Sequence, residues 1–174
     1  MYGRTSFGVQ LRIEEPMKGF TLIEMIVTVA ISLVVTGFII VNYNSYNDVQ
    51  TLKQAALTLK NNLRFAQSKA ATGEKPSPCS ELLGYTVAFY NILNDLSYYT
   101  IRAECNPGGA QGATISINFP NGVTFSSPPS SFRFNVLSLG TTLNSDLTIQ
   151  LAGSGKQYWI QVSPGGAMSD LGLH

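Results

Sequence analysis

The stretch Lys18-Gly19-Phe20-Thr21-Leu22-Ile23-Glu24 sets a base, a glycine and one carboxylate ahead of Met25 to Val41, an uncharged run that reads MIVTVAISLVVTGFIIV. A carboxylate at the head of so apolar a segment is costly to bury and calls for a cationic partner. The positive end of a helix and a free amino terminus are the nearest sources of that charge; solvation of Glu24 by lipid headgroups is the alternative. Cys79 and Cys105 are the only cysteines, and an isolated pair in an oxidising compartment usually bridges. A bridge would close a loop of about 27 residues and contribute roughly 3 to 4 kcal/mol in the chain-entropy model. Two buried free thiols are the other state open to them.

Other reactive groups are sparse. The only histidine is the terminal His174, so neither a Ser/His/Asp triad nor a histidine metal site has anything to build on. Asp95 and Asp146 sit in asparagine-containing loops without ligand-type spacing, and turn chemistry accounts for them better than calcium does. No catalytic residue, no metal site and no cofactor is expected, and the chain reads as a non-enzyme.

The elements that would position Glu24 and the cysteines follow from periodicity. Phe20 to Val41 is interrupted only by Thr21, Glu24, Thr28, Ser32, Thr36 and Gly37, and roughly 20 apolar residues suffice for a helix to cross a bilayer. Arg4, Arg12 and Lys18 precede it, which places that side in the cytoplasm and the bulk of the chain outside. An ordinary signal peptide has an apolar core of roughly 7 to 15 residues followed by a small-x-small cleavage site. Here the core is longer and Asn42 to Asn47 offers no such site, so the helix is expected to stay on the chain. Beyond it Val49, Leu52, Ala56, Leu59, Leu63, Ala66 and Ala70 recur at spacings of three and four, the stripe of an amphipathic helix that packs on a head domain. Gly73 and Pro76 end it. A continuous helix from Phe20 to Thr72 would be about 80 Å long, with a weak point at the asparagine-rich Asn42 to Asp48.

From Leu83 the period changes to two. Tyr85, Val87 and Phe89 alternate with polar or small residues, as do Tyr99, Ile101, Ala103 and Cys105, predicting a hairpin through Asn91 to Leu96. Asn106 to Gly112 reads as a loop. Strands are then expected around Ile115 to Phe119, Val123 to Phe125, Phe132 to Val136, Leu147 to Leu151 and Tyr158 to Val162, with a tight turn at Gly153 to Lys156. The fold class is α+β: a long N-terminal helix packed on a mainly antiparallel sheet or sandwich.

Lys18-Gly19-Phe20-Thr21-Leu22-Ile23-Glu24 and its apolar helix resemble the class III signal of type IV pilins and of the pseudopilins of type II secretion. That resemblance implies cleavage by a prepilin peptidase between Gly19 and Phe20, N-methylation of Phe20, and a role for Glu24 in filament assembly through the amino terminus of a neighbouring subunit. The domains would be a leader, 1–19, a helix, 20–72, transmembrane over about 20–41, and a β-rich head, 73–174. Leu63-Arg64-Phe65-Ala66-Gln67-Ser68-Lys69-Ala70, Phe132-Arg133-Phe134, Leu139-Gly140, Leu147 to Leu151 and Ile160 to Gly166 resemble the GspH/FimT group of minor pseudopilins and pilins. A helix-kinking proline usual in major pilins is absent at Val41, which favours a minor role.

The implied partners are the peptidase, other pilins or pseudopilins, an inner-membrane assembly platform and, before assembly, membrane lipid. The implied location is the inner membrane with the head outside the cytoplasm, then a surface or periplasmic filament. Some pilins of that group bind DNA through basic residues near the C-terminus, but Met168 to His174 contains none. Without residues 1–19 the chain keeps eight basic and eight acidic residues, a neutral balance that gives little attraction to phosphates. Arg102, Arg133 and Lys156 are the candidates for a basic patch, but three scattered bases on strands are more often a solvated face.

Overall fold

The computed structural model describes residues 19–92 and 96–174, without the side chains of residues 38–45, 110 and 111. The expected leader up to Lys18, with Arg4 and Arg12, and the loop residue Asp95 lie outside the described residues.

Helix α1, Leu22–Thr72, is one run of 51 residues. The loosening expected across Asn42 to Asp48 does not occur. Poor propensity costs only tenths of a kcal/mol per residue, and propagation from formed turns on either side adds one hydrogen bond per residue fixed. The C-terminus is a Schellman motif. Gly73 takes φ 67°, its N–H donates to the Ala70 carbonyl at 3.1 Å, and the Glu74 N–H donates to the Lys69 carbonyl at 3.1 Å.

Two compact units divide the chain after Val41. In the second, the described residues form eight strands in two four-stranded sheets, every pair antiparallel. The first sheet has the order β3-β2-β1-β5, built from β1 (Glu81–Ile92), β2 (Leu96–Asn106), β3 (Gly109–Asn118) and β5 (Phe132–Asn135). The second has the order β4-β6-β7-β8, built from β4 (Thr124–Phe125), β6 (Leu147–Gly153), β7 (Lys156–Val162) and β8 (Met168–Leu173). The α+β architecture read from the sequence is the observed one.

The helix stripe and both sheets share one core. Leu52, Ala56, Leu59, Leu63, Ala66 and Ala70 are fully buried, in one cluster with Val87, Tyr99, Ile101, Phe134, Ile149, Leu151 and Ile160. Burying each leucine stabilises the head by about 1.5 to 3 kcal/mol. Polar bonds fix the helix on the strands: Asn62 Nδ2 donates to the Tyr99 hydroxyl at 2.6 Å, and Lys60 pairs with Asp170 of β8. The two sheets are tied by Ser97, which donates to Asn91 Oδ1 at 2.5 Å and accepts the Phe125 N–H at 3.2 Å.

Three expectations are corrected. The loop predicted from Asn106 to Gly112 is mostly strand: β2 runs through Asn106 and β3 starts at Gly109. Glycine content marks a loop by composition, but cross-strand pairing of Cys105 with Gly109 and Glu104 with Ala110 decides otherwise. Val136 leaves the strand for a 3-10 turn, Val136–Ser138. Its residues Leu137 (φ 54°, ψ 33°) and Ser138 (φ 60°) lie in the left-handed region, at roughly 1 to 2 kcal/mol each for a non-glycine residue. Strand β8 was not expected at all. It is an edge strand, mostly exposed and without apolar alternation, so periodicity gave no signal.

Candidate processing and assembly site

Gly19, Phe20 and Thr21 precede the first turn of α1 and are not helical. Phe20 is 79% exposed. A Cβ added at Gly19 would meet no atom within 4 Å, so packing within the chain does not explain a glycine there. The bond between Gly19 and Phe20 is thus an exposed, irregular peptide, the form a protease can bind in its cleft.

Thr21 and Glu24 close the helix as a reciprocal cap. The Glu24 N–H donates to Thr21 Oγ1 at 3.3 Å, and the Thr21 N–H donates to Glu24 Oε2 at 3.4 Å. Two backbone donors that the first turn leaves open are thereby answered. Thr21 is the functional residue the sequence reading missed; threonine followed three positions later by glutamate, just before an apolar run, is the signature that would have found it. Glu24 is also the only acidic residue of the first turn, where a negative charge interacts favourably with the helix dipole.

The rest of this segment turns its apolar side chains outward. Leu22, Ile23, Met25, Ile26, Val27, Val29, Ile31, Leu33, Val34 and Val35 are all exposed. Its hydroxyls are satisfied internally: Thr28 donates to the Met25 carbonyl at 2.9 Å, Ser32 to Thr28 at 2.7 Å and Thr36 to Ser32 at 2.7 Å. Such back-bonding leaves no hydroxyl donor in need of water. Among the described residues no helix is long and apolar enough to cross a membrane. The described apolar side chains stop before residue 38, so the last four positions of the expected span, 38–41, lie outside them.

In the head, Cys79 and Cys105 form a disulfide with Cα atoms 5.7 Å apart, both side chains buried. It ties the segment after α1 to the end of β2. The three bases weighed as a patch do not come together as one. Arg133 and Arg102 flank Thr86 across the first sheet, and Arg133 Nη1 lies 3.4 Å from Glu104 Oε2. Lys156 belongs to the second sheet. The Glu104 carboxyl is held below its ordinary range, first by the Thr86 hydroxyl donating at 2.6 Å, against burial, with Arg133 and Arg102 adding to the lowering. His174 stacks on Trp159 with ring centroids 4.2 Å apart. Among the described residues no three His, Cys, Asp or Glu side chains are grouped to hold a metal.

The end of α1 and the turn before β8 meet directly. Gln67 Nε2 donates to the Gly166 carbonyl at 3.0 Å. Gly166 has φ 85°, and a Cβ there would come within 2.9 Å of Gln67 Nε2, so the close approach depends on glycine.

No curated protein and no solved structure matches the chain. Residues 17–40 match the family model described as the prokaryotic N-terminal methylation motif. That match takes in Gly19, Phe20, the Thr21/Glu24 cap and the exposed apolar turns, and it supports a type IV pilin-like protein, cut by a prepilin peptidase and assembled with other pilins.

Proposed function

We propose that the chain is a minor pilin or pseudopilin of the GspH/FimT group, a structural subunit for assembly of a type IV pilus or a type II secretion pseudopilus, with no catalysis of its own. The observation that carries this reading is the coincidence of the methylation motif with a helix segment whose described apolar side chains are exposed, while the stripe of the head, from Leu52 to Ala70, is buried. Before assembly, Phe20 to Val41 would sit in the inner membrane as a single span with the head outside the cytoplasm. The Cys79–Cys105 bond supports that location, since disulfides persist in oxidising compartments.

Processing adds a charge problem that Glu24 can solve. Cleavage leaves an ammonium on Phe20, one residue ahead of the cap and at the positive end of the helix, where a cation is disfavoured. The Glu24 carboxylate answers that charge. In the membrane it does so within its own chain; in a bundle it can exchange its own terminus for that of a neighbouring subunit, so helix packing and charge pairing favour the same arrangement. DNA is not the substrate in this reading: Arg133 is already paired with Glu104, and Lys156 stands on the other sheet.

The test is Glu24→Ala in the full chain, co-expressed with the peptidase and the assembly machinery. Cleavage should remain largely intact while incorporation into filaments is lost. Normal filament yield in that variant would sink the assembly role of Glu24. Binding of DNA by the detergent-solubilised chain at low salt and micromolar protein would favour an uptake function instead.

A further inference from the structure

The half of α1 that belongs to the head has a second face, opposite its buried stripe. Lys53, Leu57, Asn61, Arg64, Phe65 and Ser68 recur at spacings of three and four, which sets them along one side of the helix. Lys53 is half-buried and the other five are exposed. Leu57 is 48% exposed and Phe65 44%. Eight residues of helix put these two about 12 Å apart along the axis.

Charge on this side of the head is one-sided. Lys53, Lys60, Arg64 and Lys69 are the only charged residues between Asp48 and Glu74, so the stretch holds half of the eight bases that follow residue 19 and none of the eight acids. The helix dipole accounts for a base only in the last turn, and of the four only Lys69 stands there. Lys60 pairs with Asp170; Lys69 pairs with Glu74, its Nζ 5.0 Å from the centre of the Phe65 ring. Among the described residues no carboxylate pairs with Lys53 or Arg64. A single exposed leucine or lysine needs no explanation. A helix face built only for water mixes both signs of charge, and this one sets two unanswered cations on either side of an exposed leucine.

We propose that this face docks an acidic protein surface: part of another subunit's head that sets carboxylates opposite Lys53 and Arg64 and apolar side chains against Leu57 and Phe65. The proposal rests on the reading of the chain as a filament subunit. It makes the partner a different subunit, because a second copy presenting the same face would set base against base. Anionic lipid fits less well. A helix that lies in a membrane surface needs a broad apolar face, and here Asn61 stands between the two apolar side chains.

The test is the amount of the full chain recovered in sheared filaments after co-expression with the peptidase and the assembly machinery. The double variant Lys53→Glu/Arg64→Glu should lower that amount by about tenfold, because reversal sets like charges against the partner. Leu57→Ser should lower it less. Cleavage at Gly19 and denaturant unfolding of the detergent-solubilised chain should stay unchanged in both. Arg102→Glu/Lys156→Glu makes the same change in net charge on other faces and should leave incorporation as it was. Undiminished incorporation of the Lys53/Arg64 variant would overturn the proposal and leave the filament reading standing. An equal loss in the Arg102/Lys156 variant would overturn it in favour of net charge alone. With the full chain reconstituted by itself, labelling of Lys53 by an amine-reactive ester should be equal in phosphatidylcholine and phosphatidylglycerol vesicles; protection in phosphatidylglycerol alone would overturn it in favour of lipid. Absence of the unaltered chain from filaments would remove the filament reading, and this contact with it.

Discussion

The two halves of α1 handle the same problem in opposite ways. Over residues 49–70 the apolar stripe is covered by the chain's own strands, and Leu52, Leu59 and Leu63 are wholly buried. Over residues 22–35 the apolar residues are more numerous and none is buried. Apolar area of that extent is not left to water in a stable protein. One half therefore has its partner in the sequence, and the other half needs lipid or other helices to supply it. The polar chemistry differs in the same sense. The hydroxyls of the N-terminal half bond back to their own helix, whereas Asn62, Lys60 and Gln67 reach outward to the strands and the terminal turn.

Substitutions in the two halves should have separable effects. The largest is expected at Gly19: Gly19→Val should abolish cleavage, read by intact mass, while the unfolding of the head stays unchanged, because no neighbour surrounds this position. Loss of head stability in that variant would show that the two regions are not independent. Leu59→Ala should do the reverse, destabilising the head by about 2 to 5 kcal/mol through the cavity it leaves. Ile26→Ala, by contrast, should leave denaturant unfolding of the detergent-solubilised chain unaltered. Reduction of Cys79–Cys105 should cost the head about 2 to 5 kcal/mol, with processing at Gly19 unaffected.

Effects of pH are smaller and belong to the head. Burial pushes the Tyr99 hydroxyl above its ordinary value of 10.0, only partly offset by the bond from Asn62, and burial also raises Tyr85 and Tyr158. A raised folded value favours the neutral phenol in the native state, so this stability is complete below about pH 10 and is lost as pH climbs through the folded value. Tyr99→Phe should flatten the alkaline limb of a melting-temperature profile. Glu104 is shifted the other way. Its contribution is present above the ordinary carboxylate range and lost as pH falls through the lowered value, and partial exposure keeps it small. Thr86→Val should flatten the acid limb slightly; an unchanged slope would show that the Thr86 bond does not set it.

Legibility in the sequence followed the strength of the physical pattern. The helix stripe from Leu52 to Ala70 and the alternation of Tyr99, Ile101, Ala103 and Cys105 were plain, because a buried face imposes its period on the residues. The Ser154-Gly155 turn was equally readable: both residues take positive φ, 51° and 70°, as a two-residue hairpin requires. Strand β8 was hidden because an edge strand with Ser169, Asp170 and Gly172 buries little and so shows no period. Asp170 serves as a partner for Lys60 across 110 residues, a relation that local spacing does not encode. At the candidate site, Gly19, Phe20 and Glu24 stood out by type and order. Thr21 did not, although its cap to Glu24 is a local pattern and needed only to be looked for. Leu137 and Ser138 lie just past the predicted strand, and nothing in their types announces a left-handed turn.

The central claim is that residues 17–40 are a processing and assembly module rather than a plain anchor. Its most direct test is intact mass with N-terminal sequencing of the membrane-extracted chain, expressed with and without a prepilin peptidase. The account predicts a chain that begins with methylated Phe20 only when the peptidase is present, and the full-length chain without it. A chain left uncut in the presence of the peptidase, or cut after the apolar helix, would contradict the account and return Glu24 to the role of a helix cap alone.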